Sequence, residues 1–297
     1  MDISVVIPSK DSPGLAAALR SLESSALSHP KLSIEVVVVD SSDQLPPIIS
    51  GSSDRFDLRV IHKKLTLLEA RIEGIEAARG DNILNLDSDQ TIHPDLLPAL
   101  IDAKAASVII PELPTGPGRL SELVRRKNER ALAEFRRRPS LIIPVIPRRY
   151  RREPLMKAIV SLRRQAPEQV PRHLPTRHED TILFAYFLNA NGWTERECVG
   201  FVDTPIYHPV TGFSETARKY YRYGRDMGAE SRMLLRGEMA LNPGIWSYVY
   251  RVDLGRMLTY WDSDFGWNMS GFVYDFLRAP FYSVGVVLGF VKDPRRG

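Results

Sequence analysis

One cysteine, Cys198, stands in a chain of 297 residues. That excludes an intrachain disulfide and a thiolate metal cluster, and it leads us to expect a reducing compartment. A glycine-rich phosphate loop is also missing, which disfavours a P-loop or classical dinucleotide-binding fold. The N-terminus has no charged region followed by a long apolar stretch, so no cleavable signal is expected. Neither sign of charge dominates: 40 Lys and Arg against 36 Asp and Glu leave a formal charge of +4. The distribution is uneven, because arginines crowd the segment from Arg119 to Arg177, and this implies a local anionic partner, either phosphates or a lipid surface. A hydrophobic content of 43% is enough to bury a real core, and the length fits one domain plus an appendage.

The most informative stretch is Asn82-Ile83-Leu84-Asn85-Leu86-Asp87-Ser88-Asp89. Its alternating apolar residues predict a short buried strand whose C-terminal end delivers two carboxylates to a surface. In open α/β sheets that end is where ligands bind. Two acids at i and i+2 repel one another unless a cation or sugar hydroxyls occupy the gap, and oxygen donors suit Mg²⁺ or Mn²⁺. The competing reading is an acidic turn that ends the strand and caps the helix near Pro94.

Around that stretch the chain alternates strand and helix. Ile3–Pro8 is a β-branched run ended by proline, and Leu15, Ala18, Leu19 and Leu22 have helical spacing. Ile34–Asp40 is a second apolar strand that ends in an acid, a group able to accept hydrogen bonds from a base or ribose or to cap a turn. Leu58–Ile61 predicts a third strand and Leu67–Ala78 a second helix, with Gly80 as its C-terminal glycine. This rhythm predicts a mostly parallel α/β sheet.

In order, Ile3–Pro8, Val36–Asp40 with Asp43, Glu69-Ala70-Arg71 with Gly74, Ala78–Asp81 and Asp87-Ser88-Asp89 resemble the nucleotide-sugar half of family-2 glycosyltransferases, which have the Rossmann-like GT-A fold. The resemblance covers about the first hundred residues. It implies that Pro8, Ser9 and Asp11 border the nucleotide and that Asp40 with Ser42 faces the base. It further implies that Arg71 approaches the nucleotide or braces the acids, and that Asp87, Ser88 and Asp89 hold ribose and metal.

Further on, a helix from Pro94, a strand Ser107–Pro111, a charged helix Leu120–Arg138 and an apolar run Leu141–Pro147 are expected. Arg148, Arg149, Arg151 and Arg152 then form a basic knot, read either as a phosphate site or as a solvated surface. Glu179 and Asp180 precede apolar residues at helical spacing and fit simple capping. They also match the Glu-Asp motif that supplies the catalytic base in the resembling family, with Asp180 the base and Glu179 second. The resemblance implies His208 as a third metal ligand beside Asp87 and Asp89. Lys219 and Arg222, at i and i+3, are able to grip a phosphate together. Nucleic acid is not expected as a partner, since no nucleic-acid module surrounds them.

Beyond Pro243 the aromatics Trp246, Tyr248, Tyr250, Tyr260, Trp261, Phe265 and Trp267 accumulate, as at a membrane interface. Met269–Val291 is about long enough to span but is interrupted by Asp275, Arg278 and Pro280, so interfacial helices on the cytoplasmic face are expected, against a packed helical subdomain. The expectation is therefore a GT-A catalytic domain over 1–212 and a membrane-associated C-terminal helical region over 213–297. Function is expected to be inverting, Mn²⁺- or Mg²⁺-dependent transfer of a sugar from a nucleoside-diphosphate donor, GDP-mannose before UDP-glucose. Membrane-attached relatives in the resembling family, such as dolichyl-phosphate mannose synthases and cellulose-synthase-like enzymes, point to a polyprenyl-phosphate or lipid-linked acceptor. A nucleotidyltransferase and a non-enzymatic membrane scaffold are the alternatives.

Overall fold

The computed structural model describes residues 1–45, 54–116, 121–126, 128–129, 133, 146–165, 179–210, 212–235, 244–245, 247–248, 261–262, 266–267 and 280–288. The chain forms two compact units, Met1–Leu113 with Val145–Arg163 and Leu183–Pro209, and Pro114–Pro144 with Arg164–Ile182 and Val210–Gly297.

The first unit is built on β1 (Ile3–Ser9), β2 (Ile34–Asp40), β3 (Asp57–His62) and β4 (Asn82–Asn85), all mutually parallel. Every residue of β1 and β2 is buried, which is why both read as unbroken β-branched runs rather than as alternation. Together with β6 (Ser107–Ile109), β8 (Arg149–Arg151) and β9 (Val199–Phe201) they form a seven-stranded sheet of order β3-β2-β1-β4-β8-β6-β9. Only β8 runs antiparallel to its neighbours. From β1 the chain goes out to β2 and β3 on one side and returns to β4 on the other. The C-terminal ends of β1 and β4 thus flank the place where strand order reverses, the usual ligand crevice of such sheets.

Helix α1 (Leu15–Ser28) buries Leu15, Ala18, Leu19, Leu22 and Ala26, the face anticipated from its spacing. Helix α2 (Leu67–Ala77) starts at a capping box. The Thr66 hydroxyl accepts from the Glu69 amide at 3.4 Å, and Glu69 accepts from the Thr66 amide at 2.8 Å. Gly80 is not its C-terminal glycine: the helix ends at Ala78 in extended backbone. Gly80 instead lets the chain press on β1, where an added Cβ would lie 2.5 Å from the Ser4 amide nitrogen. Gly192, at φ +66°, does end α5 (Glu179–Asn191) after α4 (Arg152–Gln165), with the Trp193 amide donating to the Leu188 carbonyl at 3.0 Å.

The basic knot divides, with Arg148 turned to Asp87 and Glu112 and Arg149 turned inward. Arg149 lies fully buried in β8 and donates to the carbonyls of Leu100 (2.6 Å), Ala105 (2.6 Å) and Ala103. These carbonyls end α3 (Leu96–Asp102), so the guanidinium caps a helix C-terminus. Burial, with Arg151 nearby, pushes its pKa down to about 10. Tyr150, the next residue, faces Phe187 of α5 edge-on at 5.1 Å. Arg152 donates to the Ala78 carbonyl at 2.9 Å.

In the second unit α6 is the long amphipathic helix Phe213–Leu235. Its backbone touches the helical segment 280–288: a Cβ at Gly224 would collide with the Tyr282 carbonyl, and one at Gly285 with that of Tyr221. Among the described residues no helix is long and apolar enough to cross a membrane. Leu141–Val145, most of Leu120–Arg138, and Trp246, Tyr250, Tyr260 and Phe265 lie outside the described residues, as does Met269–Val291 except for 280–288.

Candidate active site

At the end of β4, Leu86 still donates its amide to the Val6 carbonyl, and the chain then turns through Asp87-Ser88-Asp89. Gln90 fixes that turn twice: its side-chain oxygen accepts the Asp87 amide at 3.0 Å, and its own amide donates to the Asp87 carbonyl at 3.0 Å. The loop after β1 lies against the same turn. An added Cβ at Gly14 would stand 2.7 Å from Asp89 Cα, so only glycine fits this approach.

Three short strands bring in the remaining groups. β10 (Ile206–Pro209) lies between β5 (Thr91–Ile92) and β7 (Glu112–Thr115), with Tyr207 opposite Thr91. That register sets His208 beside the acidic turn and Glu112 on its other flank. His208 Nε2 is 3.2 Å from Asp89 Oδ2, and Nδ1 is 2.6 Å from Glu112 Oε1. Arg148 closes the ring, with one guanidinium nitrogen 3.2 Å from Asp87 Oδ2 and another 3.3 Å from Glu112 Oε2. From beneath, fully buried Arg71 of α2 donates to Asp87 Oδ1 at 2.5 Å.

The electrostatics follow from this alternation. Burial would raise the Asp87 pKa, but Arg148 and Arg71 outweigh it and hold the carboxyl far below the usual range. Glu112, likewise opposed by burial, is lowered to about 2 by its hydrogen bond with His208 and by Arg148. His208, despite burial, is raised to about 9 by Asp89 and Glu112. Three carboxylates face two arginines and one imidazolium, so the charges balance while His208 is protonated, and a cation that replaces the imidazole proton restores positive charge there.

A second group sits at the ends of β1 and β2, where Ser9 pairs with Asp40. Fully buried Asp40 accepts from the Ser42 hydroxyl at 2.9 Å and from its amide at 3.3 Å. The Ser42 hydroxyl in turn accepts the Asp11 amide at 2.7 Å, holding Asp11 in the left-handed region at φ 48°. His62 Nε2 lies 3.0 Å from the Ser42 carbonyl. Pro8, Ser9, Asp11, Asp40 and Ser42 therefore lie along the same C-terminal sheet edge as Asp87, Ser88 and Asp89.

Among the described residues no group of three or more His, Cys, Asp or Glu is arranged to hold a metal ion. The expected ligand set of Asp87, Asp89 and His208 is thus not assembled, because both Asp87 oxygens face arginines. Asp89 and His208 do fit an ion. Neighbouring ligands of an octahedral Mg²⁺ stand about 3 Å apart, close to the 3.2 Å between them, and the remaining positions suit phosphate oxygens and water. Glu179 and Asp180 open α5 and belong to the second unit, Glu179 buried and Asp180 half-buried. Lys219 and Arg222 lie on α6 of that unit, Arg222 exposed and the Lys219 ammonium 5.9 Å from the centre of the Tyr223 ring.

Sequence reasoning missed Glu112 and Gln90, and named Arg148 only as part of the basic knot. Glu112 did carry a signal, as an acid just beyond the apolar run Ser107–Ile110, in the same relation as Asp40 to β2 and Asp87 to β4.

A mostly parallel α/β sheet with acids at its switch point is the arrangement of a GT-A-like fold. Residues 4–148 match the profile of Glycosyl transferase family 2, and that span is a family-2 glycosyltransferase domain. It is similar to the succinoglycan biosynthesis protein ExoO of Rhizobium meliloti (strain 1021), 36% identical over 118 residues. That match covers 38% of this chain and only 33% of the relative. Crystal structures of S. aureus TarS 1-349 have a similar fold. The structure without a named ligand has a TM-score of 0.50 at 18% identity, covering 88% of this chain and 72% of that one. The complex with UDP-GlcNAc has 0.50 at 19%, covering 88% and 73%.

Proposed function

We propose that the chain is an inverting, divalent-metal-dependent glycosyltransferase that takes a nucleoside-diphosphate sugar and delivers the sugar to a lipid-linked acceptor. The observation that carries the reading is the Asp89–His208 pair at the sheet's switch point, bounded by Asp87, Arg71 and Arg148. Asp89 and His208 would hold Mn²⁺ or Mg²⁺, which when bound neutralises charge on the departing diphosphate. Asp40 and Ser42 would accept and donate hydrogen bonds at the base, and Ser9 and Asp11 would border the ribose. Asp180 is the proposed base that removes the acceptor's proton as its oxygen attacks the anomeric carbon, with Glu179 orienting that acceptor.

The UDP-GlcNAc complex of the structural neighbour moves a uridine donor ahead of GDP-mannose. The name of the succinoglycan relative supports an acceptor that is a growing saccharide, and a lipid carrier for it is part of the proposal. Membrane docking through the second unit is supported by exposed Phe213, Val284 and Val287 and by exposed Arg218, Arg222 and Arg225. Lys219 and Arg222 are the proposed contacts to a lipid phosphate.

Incubation with UDP-GlcNAc, UDP-glucose and GDP-mannose, with Mn²⁺ and a polyprenyl-linked saccharide, should release a nucleoside diphosphate. Release of pyrophosphate from a nucleoside triphosphate instead would identify a nucleotidyltransferase. Asp180→Asn should lower turnover by about 100- to 10,000-fold while donor binding is kept, and unchanged turnover would rule the base assignment out.

A further inference from the structure

Glu112 has no role in the transfer just proposed, yet both of its oxygens are held. One oxygen accepts from His208 Nδ1 at 2.6 Å, the other from Arg148 at 3.3 Å, and Arg148 reaches on to Asp87 at 3.2 Å. With the Nδ1 proton committed to the Glu112 carboxylate, the Nε2 position, 3.2 Å from Asp89, is where a metal ion would replace the second imidazole proton. Backbone pairing of β10 between β5 and β7 sets both residues in place. Neighbouring groups do not share this function. Asp87 is taken up by Arg71 and Arg148, and Gln90 spends its oxygen on the Asp87 amide.

We infer that Glu112 is a positioning residue for the cation site: it fixes the tautomer and plane of His208 so that Nε2 and Asp89 converge on one divalent ion. The inference rests on the metal-dependent reading above. Arg148 supports the same arrangement by bridging Glu112 and Asp87, so the strap spans both acids of the Asp87-Ser88-Asp89 turn.

The test is calorimetric titration of Mn²⁺ into the full chain saturated with UDP, with melting temperature as the folding control. Glu112→Gln should bind Mn²⁺ about 10- to 100-fold more weakly than the parent. UDP affinity without metal should be unchanged, since Glu112 reaches the nucleotide only through the ion. His208→Ala supplies a second arm that does not depend on how well one variant folds. If Glu112 acts through His208, then adding Glu112→Gln to His208→Ala costs no further Mn²⁺ affinity. Additive losses, or a folded Glu112→Gln that binds Mn²⁺ as the parent does, overturn the assignment. A parent protein that binds no Mn²⁺ overturns the metal-dependent reading and this inference with it, a result separable from the loss of Glu112 alone.

Discussion

The two ends of the first unit's sheet each hold acids among arginines, and they use them differently. At the N-terminal edge Glu35 is 0% exposed and saturated: the Ser4 hydroxyl donates at 2.5 Å, the Arg79 amide at 2.8 Å, Arg79 Nε at 2.7 Å and Arg59 at 3.4 Å. Arg79 also pairs with Asp57, so two acids meet two arginines and the charges cancel. At the C-terminal edge Asp87 is 30% and Asp89 49% exposed, and three acids meet two arginines and a histidine. Saturation makes the first cluster a clamp that ties α2 to the strands beneath it. Exposure, with a histidine proton that a metal ion is able to replace, makes the second a place for a cation and its ligand.

The contrast is sharpest under substitution. Asp89→Ala should lower kcat/KM by about 100-fold or more, through loss of transition-state charge neutralisation, while the melting temperature stays within about 2 °C. Glu35→Gln should do the reverse, with kcat/KM kept and stability reduced by about 2–3 kcal/mol in urea unfolding, because charge-assisted bonds to a buried acid are lost.

That deficit should depend on pH. Although burial works to raise the Glu35 pKa, the bonds from Ser4 and Arg79 prevail and hold it below its ordinary 4.5. A depressed folded-state pKa gives stability that is complete above about pH 4.5 and lost as pH falls further. Parent and Glu35→Gln should therefore differ by a constant amount at pH 6 to 7 and converge below pH 4. A gap that widens on acidification would contradict the clamp. The smallest effect is expected from Arg149→Met, which removes the cap on α3 and should cost about 1–2 kcal/mol with activity intact.

The fold of the first hundred residues was legible because each strand and helix there is a local pattern. β1 and β2 are buried on both faces and read as apolar runs, and α1 shows its buried face at helical spacing. Asp87, Asp89 and Asp40 were legible for the same reason, as acids standing just beyond such runs. Arg149 was not, because a dense arginine run reads as surface, whereas the strand pairing of β8 turns that one side chain inward onto the carbonyls of α3. Gly80 was misread because close approach to β1, rather than a left-handed cap, demands the glycine there. Glu112 stayed hidden, and Arg148 could not be told apart within its arginine run, since their partners, His208 and Asp87, lie 96 and 61 positions away in the chain, and only tertiary pairing joins them. His208 came from family resemblance, and the register of β10 on β5 explains why it arrives.

Titration of UDP into the parent and into Asp89→Ala, each with and without Mn²⁺, tests the central claim that the C-terminal strand ends of the first unit bind a metal and a diphosphate together. The parent should bind UDP more tightly with Mn²⁺, and that gain should vanish in Asp89→Ala while metal-free affinity is retained. Equal affinity with and without Mn²⁺ in the parent, or an undiminished gain in Asp89→Ala, would contradict it.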